Sequence, residues 1–381
     1  MNTFIKKDVI FIHTPYSTQN YAPVLTVDFS RYKRIIAVSD IHGDFNGFKG
    51  ILNKIHFSSS DALVIVGDIL EKGSHSLELL HEIVNLMKYG NIYMVAGNND
   101  VIFEEWFSNQ ISTKAVHWYM HSRETSILIE MAKELNMGYD SFEEIEALKT
   151  AIKKHYQEEI SFLCSLPYII DSDIATFVHA GLESADLYTQ NKEYCLTAKS
   201  FGDKQLSFSF EKPVVVGHWP TSNYREAIIN INPYYNEETN VYSIDGGNSM
   251  KRWQQINCLI FNNDGAITTR SYDNLPKIRL LEAQKETPNP ITLTFPNTLV
   301  EVKERGERNS FCYFPYPNIE LLIPNSTMYI YKGKEYCSDL TTYYLPIEVG
   351  DIVSLCGTVG DELLIKKKGI VGKYAGKYIE L

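Results

Sequence analysis

No stretch of this 381-residue chain approaches the ~20 consecutive apolar residues that a membrane span requires. Near the N-terminus the apolar run VIFI (9–12) is also too short for the core of a signal peptide. Positive charge is scarce: 36 Lys and Arg face 47 Asp and Glu, for a formal net charge of −11. Non-specific nucleic-acid binding rests on neutralising phosphates, so this balance argues against a nucleic-acid partner. Cysteine is sparse too. Six are scattered at 164, 195, 258, 312, 337 and 356 without a C-x-x-C pair. That spacing matches neither a zinc site nor a disulfide framework and suits reduced thiols in a cytoplasmic protein. Internal repeats and low-complexity segments are absent. What is present, 44% hydrophobic and 22% charged residues, is the balance of a globular chain long enough for two domains.

One pattern recurs: a short β-branched run that stops abruptly at Gly, Asp, Asn or His. It occurs as IIAVSDIHGD (35–44), LVIVGD (63–68), IYMVAGNND (92–100), ATFVHAG (175–181), VVVGH (214–218) and VYSIDGG (241–247). Near-continuous apolar runs of this length predict strands buried on both faces. Helical periodicity lies between them, as in HSLELLHEIVNLMKY (75–89), so the class is α/β. Residues 101–165 are strand-poor and predict a helical insertion after the third strand. Beyond about 275 the chain turns to short β runs with turn residues, with KETPNPITLTFPN (285–297) as a joint.

The polar residues closing those strands are Asp40, His42, Asp68, Asn98, His179 and His218. Side chains alternate with period two along a strand, so Asp40 and His42 are expected to point the same way. Imidazole, carboxylate and amide donors together suit Mn first, with Fe or Zn as alternatives. One shared carboxylate, most naturally Asp68, would hold two divalent ions ~3.5–4 Å apart, and water between such ions is acidified for in-line attack on phosphorus. His13, His117, His121 and His155 close no such strand, and His75 and His81 sit on the amphipathic helix; all read as ordinary residues.

SDIHGD, GDILEKG, GNND, VHAGL, VVGHWPT and SIDGG, in this order, resemble the calcineurin-type metallophosphoesterases. Within these they are most similar to the phosphoprotein phosphatase family and its bacterial relatives, over roughly residues 33–270. The resemblance implies a four-layer β-sandwich flanked by helices, within a catalytic domain over residues 1–280. It also implies Asp40, His42 and Asp68 on one metal, with Asp68, Asn98, His179 and His218 on the other. The implied substrates are phosphorylated small molecules, nucleotides or phosphoproteins.

Departures from the family pattern fall on the catalytic positions. GDxxDRG reads GDILEKG, so Glu71 stands for the Asp and Lys72 for the Arg that clamps phosphate. Lysine keeps the charge but not the bidentate fork. GNHE reads GNND, placing Asn99 where a His would protonate the leaving oxygen and Asp100 where a carboxylate completes the loop. An amide donates a hydrogen bond to a phosphoryl oxygen but delivers no proton. The substitution therefore tilts the expected substrates from phosphoserine towards anhydrides, activated esters or phosphotyrosine. Lys199 is a weak stand-in for a second family Arg, and Trp219 and Tyr224 are candidates for walling the pocket. The alternatives are a phosphodiesterase or nuclease, or a catalytically weakened phosphate-binding module. Residues 326–381 resemble the end of an SH3-like barrel, suited to a structural or protein-docking role; 281–325 read as a linker or covering β segment, and Lys366–Lys368 as a basic strand-guarding edge.

Overall fold

The computed structural model describes residues 9–13, as backbone only, and 21–381. The signal-peptide reading and the side chain of His13 lie outside the described residues. The chain divides into two compact units: residues 1–219, 233–250 and 254–273, and residues 220–232, 251–253 and 274–381.

The first unit contains two mixed sheets. One orders β1 (Val9–His13), β2 (Val24–Val27), β6 (Ile169–Ser172), β7 (Thr176–Val178), β8 (Val214–Val216), then Val241–Ser243 and Tyr234–Asn236. The other orders Ile267–Tyr272, Ile256–Asn262, β3 (Arg34–Val38), β4 (Asp61–Ile65) and β5 (Ile92–Met94). Strands β3, β4 and β5 run parallel. Their apolar runs are continuous because both faces are covered. Ile35, Ala37, Ala62 and Val64 meet Phe177 and Val215 of the other sheet in one buried cluster. The alternate residues Ile36, Val38, Leu63 and Ile65 pack in a second cluster with Phe48 of α1 (Phe45–Lys54) and Leu80 of α2 (Ser76–Met87). Period-two alternation thus assigns one set to the sandwich and the other to the helices.

Residues 101–165 fold as five helices: α3 (Ile102–Phe107), α4 (Thr113–His121), α5 (Ile127–Glu134), α6 (Phe142–His155) and α7 (Gln157–Cys164). α6 opens on a full capping box, Ser141 with Glu144. Among the described residues no helix is long and apolar enough to cross a membrane.

In the second unit, six strands order as Tyr378–Glu380, Lys277–Leu280, Ile352–Val359, Glu362–Lys367, Ile370–Tyr374 and Ile229–Asn230. This sheet is open, with an edge at each end, rather than a closed barrel. Glu301–Arg305, Asn309–Phe314 and Ile319–Pro324 form a further sheet. Its Cys312, Phe314 and Ile323 share a core with Leu364 and Val371, and Leu293 of the Pro-bearing stretch is buried in the same core. The strand-guarding reading of Lys366 is corrected: its strand is internal to the sheet, and the residue is 3% exposed with Nζ donating to Trp253 O at 2.9 Å.

Candidate metal centre

The six strand-closing residues come together in the first unit. Oxygen and nitrogen atoms of Asp40, His42 and Asp68 lie within 4.8 Å of one another, as do those of Asp68, His179 and His218, so Asp68 belongs to both groups. Asn98 Oδ1 lies 3.1 Å from His179 Nε2 and 2.9 Å from His218 Nδ1. All of these residues follow strand ends. The common direction of Asp40 and His42 has a different origin from the strand alternation expected. β3 ends at Val38, and both residues lie in a turn with positive φ, 52° and 49°. Asp68 (57°) and His218 (66°) are left-handed as well. Such conformations are unfavourable for residues with a Cβ and collect at functional sites.

Two glycines let the turns approach this closely. A Cβ on Gly97 would stand 2.1 Å from Asp68 N, and one on Gly217 would stand 2.2 Å from Asp40 Oδ2. The G of GN and of GH is therefore needed for space beside a carboxylate.

Backbone carbonyls orient the imidazoles. A carbonyl only accepts, so His42 Nδ1 donates to Leu70 O (3.1 Å) and His179 Nδ1 donates to Val66 O (2.9 Å). Nε2 is then the lone-pair nitrogen of each ring, facing the cluster. Burial, then Lys72, holds His42 down to about 4; burial, then His179, holds His218 down to about 3. Both rings stay neutral and available to a cation.

The carboxylates show the complementary signature. Burial and the neighbouring charge of Asp68 push Asp40 up to about 8. Burial alone would raise Asp68 too, but His179, His42 and Lys72 hold it below the usual carboxylate range. Asp245, from SIDGG, is a residue that sequence reasoning passed over. It is wholly buried, its Oδ2 has no hydrogen-bond partner, and burial with the charge of Asp40 raises it well above the ordinary value. Its signal was visible, since it too closes an apolar strand. Converging lone pairs and crowded buried carboxylates are what divalent cations neutralise, so the donor set fits a metal site.

The remaining candidates divide. Lys72 Nζ donates to His42 Nε2 at 3.0 Å, at the edge of the cluster. Asn99 donates twice to Asp68, from its backbone N (2.8 Å) and from Nδ2 (2.6 Å). Asp100 instead binds backbone: its buried carboxylate accepts N–H bonds from Asp68, Ile69, Leu70 and Gly97 at 2.7–3.2 Å. That is the place of a positioning residue. Glu71 is also buried and faces the insertion, accepting from Ile127 N at 3.0 Å, with Tyr119 beside it. Lys199 is exposed after the helix Lys192–Thr197. Trp219 is half-buried next to His218, while Tyr224 belongs to the second unit.

A family model described as calcineurin-like phosphoesterase matches residues 33–257. A symmetrical bis(5'-nucleosyl)-tetraphosphatase of Buchnera aphidicola subsp. Baizongia pistaciae is 42% identical over 65 residues, 17% of this chain and 23% of the relative. Shewanella-like protein phosphatase 2 of Arabidopsis thaliana is 23% identical over 214 residues, 48% of this chain and 55% of the relative. The chain thus spans less than two thirds of the length of either curated relative. Among solved structures, a protein serine/threonine phosphatase from Saccharomyces cerevisiae is similar at 12% identity and a TM-score of 0.41, over 66% of this chain and 83% of that one.

Proposed function

The chain belongs to the calcineurin-like phosphoesterases, and from that premise we propose that it is a metal-dependent hydrolase of phosphate esters or anhydrides. The observation that carries this is the pair of donor groups joined at Asp68. In this reading Asp40, His42 and Asp68 hold one divalent cation, and Asp68, Asn98, His179 and His218 hold the second. Bound there, such ions supply Lewis-acid stabilisation of phosphoryl oxygens and acidify water for attack. Manganese is the proposed ion, because imidazole, carboxylate and amide donors are mixed. The protein's own groups do the rest. Lys72 places an ammonium beside His42 for the phosphoryl group, and Asp100 holds the two ligand loops together. Asn99 stabilises negative charge as a donor but moves no proton.

Without a proton donor at residue 99, leaving groups that depart as weak bases are favoured: phosphate, aryl oxide, nucleotide. Turnover of p-nitrophenyl phosphate, its bis-ester, diadenosine tetraphosphate and phosphoserine peptides, each with Mn²⁺ and with EDTA, tests the assignment. Metal-dependent hydrolysis led by the anhydride and the aryl monoester is expected. Preference for the bis-ester would instead make the chain a phosphodiesterase or nuclease. Tight phosphate binding without turnover would make it a weakened binding module, the alternative that Lys72 and Asn99 keep open against the intact ligand set. A partner-docking role for the C-terminal unit draws on the exposed residues Tyr378 and Ile379 of its edge strand; the SH3-like likeness of 326–381 rests on its sequence alone. The free thiols support a cytoplasmic location.

A further inference from the structure

Phosphate oxygens accept two parallel N–H bonds from a guanidinium, a geometry that an ammonium does not reproduce. The loop after β4 offers only Lys72 for this purpose. The first unit holds four arginines, at 31, 34, 123 and 270. Arg34 is committed to Asp61 by two bonds of 2.8 and 2.7 Å, at the starts of β3 and β4 and so at the opposite end from the ligand loops. Arg31 stacks on Tyr32 three residues before β3, and Arg270 donates to Thr269 O on the edge strand Ile267–Tyr272.

Arg123 differs from these. It lies between α4 and α5, on a segment stitched to the loop that carries Lys72. Thr125 Oγ1 donates to Lys72 O at 3.4 Å, and Ile127 N donates to Glu71 Oε1 at 3.0 Å. Three residues further, Glu130 accepts from Ser76 N and Leu77 N at 3.0 and 2.8 Å. The guanidinium carbon of Arg123 stands 3.8 Å over the Tyr119 ring. Its Nη1 donates to Tyr119 O and Ser122 Oγ, both at 3.3 Å, and it is exposed. Stacking holds the plane of the guanidinium while leaving N–H edges open to a ligand. Tyr119, beneath the guanidinium, is in turn hydrogen-bonded to the side chain of Glu71, next to Lys72.

We propose that Arg123 is a specificity residue that binds a second phosphate of a phosphoanhydride, beyond the phosphoryl group met by Lys72. This rests on the hydrolase reading above. A substrate with one phosphate has nothing to offer Arg123; one with two or more in series does.

The test compares wild type, Arg123→Ala and Arg123→Lys, each loaded with Mn²⁺, on p-nitrophenyl phosphate and on diadenosine tetraphosphate. For Arg123→Ala, KM for the anhydride is expected to rise about tenfold, the equivalent of ~1.4 kcal/mol, with kcat little changed. Both constants for the aryl ester should stay within about twofold, the near-null effect expected of an exposed side chain that touches no substrate. Arg123→Lys should recover part of the loss, since it restores charge without the fork. Equal changes on both substrates, or an unchanged anhydride KM, would overturn the assignment. Calorimetric binding of methylene-bridged ADP separates this from the hydrolase reading. Weaker binding by Arg123→Ala supports the contact even if the wild type turns nothing over, whereas equal affinity, or no binding by wild type, overturns it.

Discussion

Asn99 and Glu71 both stand where the family pattern has another residue, and their consequences are separable. Asn99 donates to Asp68 from its backbone N and from one of the two N–H groups of Nδ2. Asn99→His should restore a proton donor and raise the rate on alkyl phosphates, up to the ~10²–10⁴-fold typical of general acid catalysis. On p-nitrophenyl phosphate the gain should be far smaller; equal gains on both would mean that the histidine acts indirectly. Glu71 makes a prediction about stability. Mainly through burial, its carboxyl is pushed up from an ordinary 4.5 to about 7. The folded chain therefore holds that proton more tightly than the unfolded one. Its contribution to stability is full below about 4.5 and is lost as pH rises through 7. Glu71→Gln removes the ionisation, so its Tm relative to wild type should climb between pH 5 and pH 8. A difference independent of pH would show that Glu71 does not change its protonation across this range.

Between elements, the insertion acts as a brace for the ligand loops. The N-cap residue of α2, His75, makes no side-chain cap bond. Glu130 of α5 supplies one, accepting from the backbone N of Ser76 and Leu77. Ser76 Oγ in turn accepts from Glu71 N, so the cap and the loop that carries Lys72 are one assembly. Glu130→Ala leaves two first-turn N–H donors without their acceptor, a loss of about 1–2 kcal/mol. The melting midpoint should fall by ~2–4 °C, with KM rising as the Lys72 loop loosens. A lower midpoint with unchanged KM would confine Glu130 to stability. Asp100 plays the matching part on the other side, joining the ends of β4 and β5 through four backbone donors.

Across the whole molecule, the buried carboxylates Asp40, Asp68, Asp100 and Asp245 of the first unit lie at or beside the ligand turns, with Lys72 as the ammonium bonded at the cluster. Divalent cations relieve that imbalance, so metal binding should stabilise the folded state by mass action, ~2.7 kcal/mol at a hundredfold excess over Kd. Hydrogen exchange reads where the effect falls. Adding Mn²⁺ to EDTA-stripped protein should slow exchange at 40–42, 66–70, 97–100 and 216–218, and leave 274–381 unchanged. Slowing spread evenly over both units, or none at all, would count against the proposed centre.

The strands β3–β5, the helical character of 101–165 and the identities of the six clustered residues were legible from the sequence, because each is local information. An apolar run and the polar residue that ends it lie within a few positions, and burial on both faces writes itself as unbroken hydrophobicity. Other features belonged to tertiary structure alone. Asp40 and His42 converge through left-handed turns that no periodicity encodes. Asp100 binds backbone at residues 68–70, and Glu71 binds Ile127, 56 positions away. Lys366 is buried because a carbonyl 113 residues distant accepts from it. Hydrogen bonds between remote segments are chosen by packing, which satisfies buried polar groups with whatever partner the fold brings near. That choice leaves no mark in the neighbouring letters.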